Sequence, residues 1–398
     1  MSDAGPRQYS RKSAMYGVTL PGKSKGPSVR ARPLLRIEGA MPAPSEQQVL
    51  AALSTIVDPD LGRDVVSLGM IKELRISSAG EVAFTFELTT PACPVRDRFK
   101  TQAEESVGAM DGVSSVAVKM TANVRPGFMR QPSEMLPGVK QTIAVASGKG
   151  GVGKSTVAVN LAAALHRSGA RVGLLDADIY GPSVPALTGT HEQPKVVDQK
   201  LVPLQAYGLS LMSIGFIAGG DKAMVWRGPM VSRAIQQMMS DVTWGELDYL
   251  VIDLPPGTGD ASLTIAQSIP LTGVAIVATP QDLALDIAVK ALQMFRTLNV
   301  NPLGLIENMS WYVCPDCGHR HEIFSHGGAE AAARRLGVPF LGAIPLEEGI
   351  REDSDSGTPV VISRPESAGA KAFEAIASQV AARTSIQSFR QLPVINVH

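Results

Sequence analysis

The sequence predicts an α/β protein: a parallel sheet with helices packed on both faces, preceded by a small domain of α-β-β-α-β order. Three observations carry this reading. From residue 140 onward, apolar runs alternate with helical patterns: TIAVAS, RVGLLDAD, YLVIDLP, GVAIVATP, NPLGLIEN and PFLGAIP. Strands that are apolar almost throughout belong to sheets covered on both sides. Between the first run and its helix lies GKGGVGKS, residues 148–155, which matches the phosphate-binding pattern G-x-x-x-x-G-K-[ST]. Upstream, MIKELRIS and EVAFTFELTT read as strands joined by a short turn, with a helical segment on either side.

In chain order, residues 1–42 are basic, rich in Ser, Gly and Pro and nearly free of acids, which reads as a disordered tail. An organelle transit peptide has the same composition. Residues 43–122 form the small domain. SEQQVLAALSTIV opens it with Ser45 as N-cap, PVRDRFKTQAEESVGAM is a helix opening on Pro94, and GVSSVAVKM is a last strand. Residues 123–139 have Pro, Gly and no periodicity, so they read as a linker. Residues 140–385 are the phosphate-loop domain, and 386–398 a C-terminal tail.

Bulk properties narrow the function classes. The 398 residues are 44% apolar and 19% charged, an ordinary globular composition with room for two or three domains. With 37 basic and 37 acidic residues, no basic footprint argues for nucleic acid. No apolar run reaches membrane-spanning length, so no membrane role is expected. Three cysteines make no disulfide framework and fit a reducing compartment; the cytoplasm is the default, or an organelle interior if the tail is a transit peptide.

The phosphate loop assigns roles. Glycines 148, 150, 151 and 153 let backbone N–H groups of the loop, Val152 included, turn toward phosphate oxygens, and the helix beginning after Gly153 adds its positive end. Lys154 is expected to reach the β- and γ-phosphates of ATP, Ser155 to ligate Mg²⁺, and Thr156 to line the same site. Asp176 and Asp178 in LLDADIYGPSVP end the next strand, where Asp176 is expected near Mg²⁺ and Asp178 near the attacking water. Asp253 in YLVIDLPPGTGD arrives on a Walker B-like strand as a further Mg²⁺ partner. No Glu follows it, which predicts slow hydrolysis suited to a switch. Lys149, directly after the first glycine, resembles the signature lysine of deviant Walker A ATPases of the MinD/ParA/nitrogenase-iron-protein group. That resemblance implies a homodimer in which Lys149 reaches the partner's nucleotide.

SGKGGVGKST, DADIYGPS, DLPPGTGD, ENMS followed by C-x-x-C, and IPLEEGIREDSDSGTPVV together closely resemble the Mrp/ApbC/Nbp35-like iron–sulfur cluster carrier P-loop ATPases. The small domain, with DPDLG, SLGMI and TPACP, looks like the iron–sulfur-assembly-type domain that precedes the ATPase in many such carriers. The resemblance implies that Asn308 in GLIENMS reads the nucleotide base. It also implies apo iron–sulfur proteins and assembly factors as partners.

Cys314 and Cys317 are two sulfur ligands where a [4Fe–4S] cluster or a structural zinc wants four. Cys93, the third cysteine, lies in the other domain, where relay of a cluster and simple packing weigh equally. His319 and His321 could close a zinc site within one chain, but they crowd close behind the cysteines. The preferred reading is symmetry: a two-fold axis would join the pairs of two subunits around one labile [4Fe–4S] cluster. The rival reading is a MinD/ParA-like positioning ATPase with a structural zinc.

Overall fold

The computed structural model describes residues 42–127, 135–218, 228–314 and 316–390. The tail at 1–41, the middle of the expected linker and the last eight residues lie outside that set.

The small domain begins with α1 (Glu46–Leu53), closed by a capping box in which Ser45 and Gln48 exchange hydrogen bonds. Strands β1 (Ile71–Ile76) and β2 (Glu81–Leu88) pair antiparallel, and β3 (Ser115–Ala122) adds to β2 in parallel. The helix α2 (Arg96–Gly108) supplies the crossover and buries Phe99, Ala103 and Val107, a spacing of four that puts one face on the sheet. It starts two residues after Pro94 rather than on it. A short antiparallel pair, Val57–Asp58 with Arg63–Asp64, frames the DPDLG turn between α1 and β1.

The large domain is built on eight strands: β4 (Val139–Ser147), β5 (Val172–Asp176), the hairpin β6 (Leu204–Ala206) and β7 (Leu209–Ser213), β8 (Leu247–Asp253), β9 (Gly273–Ala278), β10 (Pro302–Glu307) and β13 (Phe340–Ala343). Their order across the sheet is β6-β7-β5-β8-β4-β9-β10-β13, parallel except for the β6–β7 hairpin. A second small hairpin, β11 (Tyr312–Val313) and β12 (Arg320–His321), projects between β10 and β13 in sequence.

The continuous apolar strands have the predicted cause. Along β4, Ile143 and Val145 face one buried cluster while Ala144 and Ala146 face another. The first cluster lies under α3 (Lys154–Arg167) and the C-terminal helix α9 (Ala368–Arg390), which follows α8 (Glu348–Ser356) in the chain. The second lies under α4 (Gly228–Ser240), α5 (Asp260–Ser268), α6 (Asp282–Thr297) and α7 (Gly328–Leu336). Two covered faces make most positions of the central strands apolar.

Two expected boundaries move. The tail was placed from 386, but α9 runs on to Arg390. Ile386 is buried, and Phe389 packs on the small-domain core while Arg125 stacks over its ring at 4.1 Å. Apolar residues at helical spacing carry the helix past the polar TSIQS stretch. The described parts of the expected linker are also packed: Val124 and Leu136 are buried and the Gly127 amide donates to the Lys140 carbonyl. The two domains are further joined where Thr90 and Tyr249 share a buried hydrogen bond of 3.0 Å.

Leu174, fully buried in β5, tests the two-sided core. Leu174→Ala removes a side chain whose neighbours cannot collapse around it and is expected to cost about 2–5 kcal/mol in denaturant unfolding. A loss below about 1 kcal/mol would contradict the packing.

Candidate functional site

In-register parallel pairing sets the site. Asp253 lies level with Asp176 on one side and Val145 on the other, and Val277 is level with Ser147. The carboxyl ends of β4, β5 and β8 therefore present the phosphate loop and the carboxylates at one sheet edge.

The loop's glycines are set by space and by backbone angle. A Cβ on Gly148 would meet the Ile287 backbone at 2.6 Å, and one on Gly153 the Asn308 amide nitrogen at 2.2 Å. Gly151 and Gly153 have φ near +80°, which side-chain-bearing residues resist. At Gly150 and Gly151 a Cβ would meet nothing within 4 Å, so the loop opens outward where phosphate oxygens approach. Gly153, as N-cap, makes no side-chain bond, which leaves the first-turn amides of α3, those of Ser155 and Thr156 among them, directed at that opening.

Lys154 is buried. Its ammonium donates to Asp253 Oδ1 at 2.5 Å and to Ser155 Oγ at 3.2 Å, with Asp178 Oδ2 at 3.8 Å. Asp253 has no exposed surface and its Oδ2 has no partner among the described residues. Burial raises its carboxyl above the ordinary range against the pull of Lys154. Burial raises Asp178 in the same way, again opposed by Lys154. A divalent cation fits this donor set: the unpartnered Asp253 Oδ2 and the Ser155 hydroxyl are hard oxygen ligands beside the loop.

Asp176 has other work. Its Oδ1 accepts the Asp178 amide at 3.1 Å, and its Oδ2 accepts the Ser183 and Val184 amides and the Ser213 hydroxyl at 3.0–3.1 Å. It is fully buried, and burial with Asp253 beside it pushes its carboxyl up to about 7. Asp176 thus shapes the DADIYGPS loop and holds Asp178 toward Lys154. Between Asp176 and Asp253, it is Asp253 whose Oδ2 has no partner among the described residues.

Lys149 directs its ammonium to Gln281 Oε1 at 3.5 Å. Asn308, expected at the base, has its amide occupied. Its Nδ2 donates to the Val152 carbonyl at 2.8 Å, and its Oδ1 accepts the Met309 amide at 3.0 Å. It fastens the end of β10 to the phosphate loop.

Cys314 and Cys317 sit in the β11–β12 hairpin turn. The Cys314 amide donates to the His319 carbonyl and the Gly318 amide to the Cys314 carbonyl, both at 2.9 Å. The backbone amides of Cys317 and Asp316, with the Cys317 side chain, lower the Cys314 thiol below its ordinary range. Cys317 is exposed and Cys314 half-buried. Among the described residues no group of three or more His, Cys, Asp or Glu side chains converges as a metal site. His319 and His321 instead pack edge to face, with ring centroids 4.7 Å apart. Cys93 packs on the small-domain core, and burial lifts its thiol to about 11.

Sequence reading gives no role to Glu307, Ser310 or His326. Glu307 has no exposed surface. It accepts the Gly327 and Ala329 amides at 3.0 and 2.7 Å and the Ser310 hydroxyl. An acid closing an apolar strand in LGLIE was the available signal, because a buried carboxylate must have donors.

A glycine loop on a buried strand, a lysine reaching back to a Walker B carboxylate and a hydroxyl beside them define a P-loop nucleotide-binding protein. Comparison with known proteins narrows this. Residues 138–381 match the family model described as NUBPL iron-transfer P-loop NTPase, and residues 46–120 match that of an iron–sulfur cluster assembly protein. The chain belongs to this iron-transfer P-loop NTPase family. An iron–sulfur cluster carrier protein of Synechocystis is 46% identical over 85% of this chain and 97% of its own length. The chloroplastic Fe–S cluster assembly factor HCF101 of Arabidopsis thaliana is 46% identical over 83% of this chain and 62% of its own. A solved nucleotide-binding protein from Archaeoglobus fulgidus, in complex with ADP, is 41% identical and covers 56% of this chain and 89% of itself, with a TM-score of 0.52. No helix among the described residues is long and apolar enough to cross a membrane.

Two substitutions test the site. Gly153→Ala forces a strained φ and drives a methyl into Asn308, and is expected to weaken nucleotide binding at least about tenfold by calorimetry, or 1.4 kcal/mol. Asp176→Ala strands four donors. At about 1–3 kcal/mol for each buried donor left without an acceptor, it is expected to unfold the protein well below the wild-type temperature.

Proposed function

We propose that the protein is an ATP-dependent carrier of a labile [4Fe–4S] cluster. The cluster is cargo, held across a homodimer by Cys314 and Cys317 of each subunit and passed to apo iron–sulfur proteins. The observation that carries this is the exposed hairpin with two cysteines and, among the described residues, no group of three or more metal-ligating side chains around them. Amides aimed at the Cys314 sulfur favour the thiolate, the form that binds iron. Half a ligand set at a surface suits a cluster that must be released.

The nucleotide end follows from the ion pair. Phosphate oxygens compete for the Lys154 ammonium, and their arrival releases Asp253 for the cation. Bound Mg²⁺ supplies neutralisation of the β- and γ-phosphate charge. Lys154 stabilises the charge that develops on the transferred phosphoryl group, and Asp178, aligned by the Asp176-bound loop, orients the attacking water. Asp178 lies beside an ammonium and no Glu follows Asp253, so no free strong base is at hand and hydrolysis is slow. Lys149 leaves Gln281 to reach the partner's nucleotide, which ties hydrolysis to the dimer. The working location is the cytoplasm, or an organelle interior if the N-terminal tail is a transit peptide.

The test is anaerobic loading with iron and sulfide, followed by transfer to an apo [4Fe–4S] enzyme with and without MgATP. Loaded protein is expected to absorb broadly near roughly 400 nm, and Cys314→Ala to lose that band while keeping ATP hydrolysis. Lys154→Ala is expected to remove the effect of ATP on transfer. Colourless wild-type protein with tightly held zinc would overturn the carrier reading, and ATP-independent transfer would remove the nucleotide from it.

A further inference from the structure

Among the described residues, Glu307 is the most deeply buried carboxylate outside the phosphate site. It ends β10, one residue before Asn308, whose amide is bonded to the Val152 carbonyl of the phosphate loop. Past Asn308 the chain turns at Met309, which holds φ of +57°, and reaches Ser310, whose amide donates to the Ile344 carbonyl. A side chain-bearing residue in that left-handed region needs surroundings that fix it.

The surroundings are a closed polar cluster. The Ser310 hydroxyl donates to Glu307 Oε1 and lies 2.6 Å from His326 Nδ1. Since Ser310 gives its proton to the carboxylate, His326 Nδ1–H is the donor to Ser310. His326 Nδ1 is also 3.3 Å from Glu307 Oε1. Both Glu307 oxygens accept amides from the start of α7, where a negative charge suits the helix dipole.

From His326 the contacts go on to the hairpin. Its ring meets Trp311 edge to face at 5.8 Å, and the Arg320 guanidinium stacks over Trp311 at 4.5 Å. Trp311 also accepts the Leu346 amide through its carbonyl. Arg320 belongs to β12, and the neighbouring His319 carbonyl holds the Cys314 amide. An unbroken series of contacts therefore joins Val152 in the phosphate loop to the turn that bears the cysteines.

Resting on the carrier reading above, we propose that Glu307, Ser310 and His326 are positioning residues that couple occupancy of the phosphate loop to the placement of Cys314 and Cys317. Phosphate seated on the loop amides shifts the Val152 peptide, Asn308 follows it, and the Met309 turn passes the shift to Trp311 and the hairpin. The polar cluster keeps the segment stiff enough to transmit it. Without the cluster, nucleotide binding and cysteine chemistry persist but no longer sense one another.

The test uses full-length, cluster-free protein. Alkylation of Cys314 and Cys317 by N-ethylmaleimide is followed by peptide mass spectrometry, with and without a non-hydrolysable ATP analogue and Mg²⁺. In wild type the nucleotide is expected to change the alkylation rate at least about fivefold, the low end of common coupling energies. Ser310→Ala and His326→Gln are each expected to bring that ratio close to one while nucleotide affinity, by calorimetry, stays within about twofold. A merely structural role would lower thermal stability and leave the ratio standing. A wild-type rate indifferent to nucleotide overturns the proposal, as do variants that keep the full ratio. Loss of nucleotide affinity in both variants also overturns it, by assigning these residues to binding. The iron-loading experiment is read separately: protein that shows the coupling but takes up no iron refutes the cluster, and protein that loads iron without the coupling refutes only this inference.

Discussion

Everything at this site depends on strand register. Parallel pairing brings Asp176 and Asp253 level with each other and sets Ser147, at the mouth of the phosphate loop, level with Val277. A slip of one residue in β8 would turn Asp253 into the hydrophobic layer and remove the partner of Lys154. The slip is prevented by cores on both faces, since the apolar strand residues alternate between two buried clusters. The chemistry is local, but the reason it is assembled is the two-sided burial of the sheet.

The carboxylates divide their labour by environment. Asp176 has four donors around it and serves the loop, while Asp253 has one oxygen paired with Lys154 and the other free. Burial raises both, which places their charge under the control of whatever cation stands beside them. In the apolar setting of β8 an unpaired Asp253 carboxylate would be costly, and the Lys154 ammonium meets that cost. The cysteines stand in contrast. They occupy an exposed turn with small structural demands, and their sulfurs are shaped by backbone amides rather than by a pocket.

Much of this was legible in the sequence because it is written locally. The apolar runs gave the sheet, and GKGGVGKS between a strand and a helix gave the phosphate loop, since glycine spacing and the lysine need no distant partner to be recognised. What was not legible depends on partners far along the chain. Asp176 reads as a partner of the metal, and only the fold shows that its Oδ2 accepts the Ser183 amide and the Ser213 hydroxyl. Asn308 reads as a base contact, and only the fold shows that its amide also fastens to the Val152 carbonyl. Glu307 draws attention only once the start of α7, twenty residues on, supplies its donors. The end of α9 was misjudged for the same reason: Phe389 finds its neighbours in the small domain, not in its own segment.

The central claim is that each chain supplies half of a cluster site and a second copy supplies the rest. Native mass spectrometry of anaerobically loaded protein measures this directly. The account predicts two chains with a single [4Fe–4S] cluster, and dissociation of the cluster-bearing dimer when Cys317→Ser is introduced. A monomer that carries its whole cluster would contradict it.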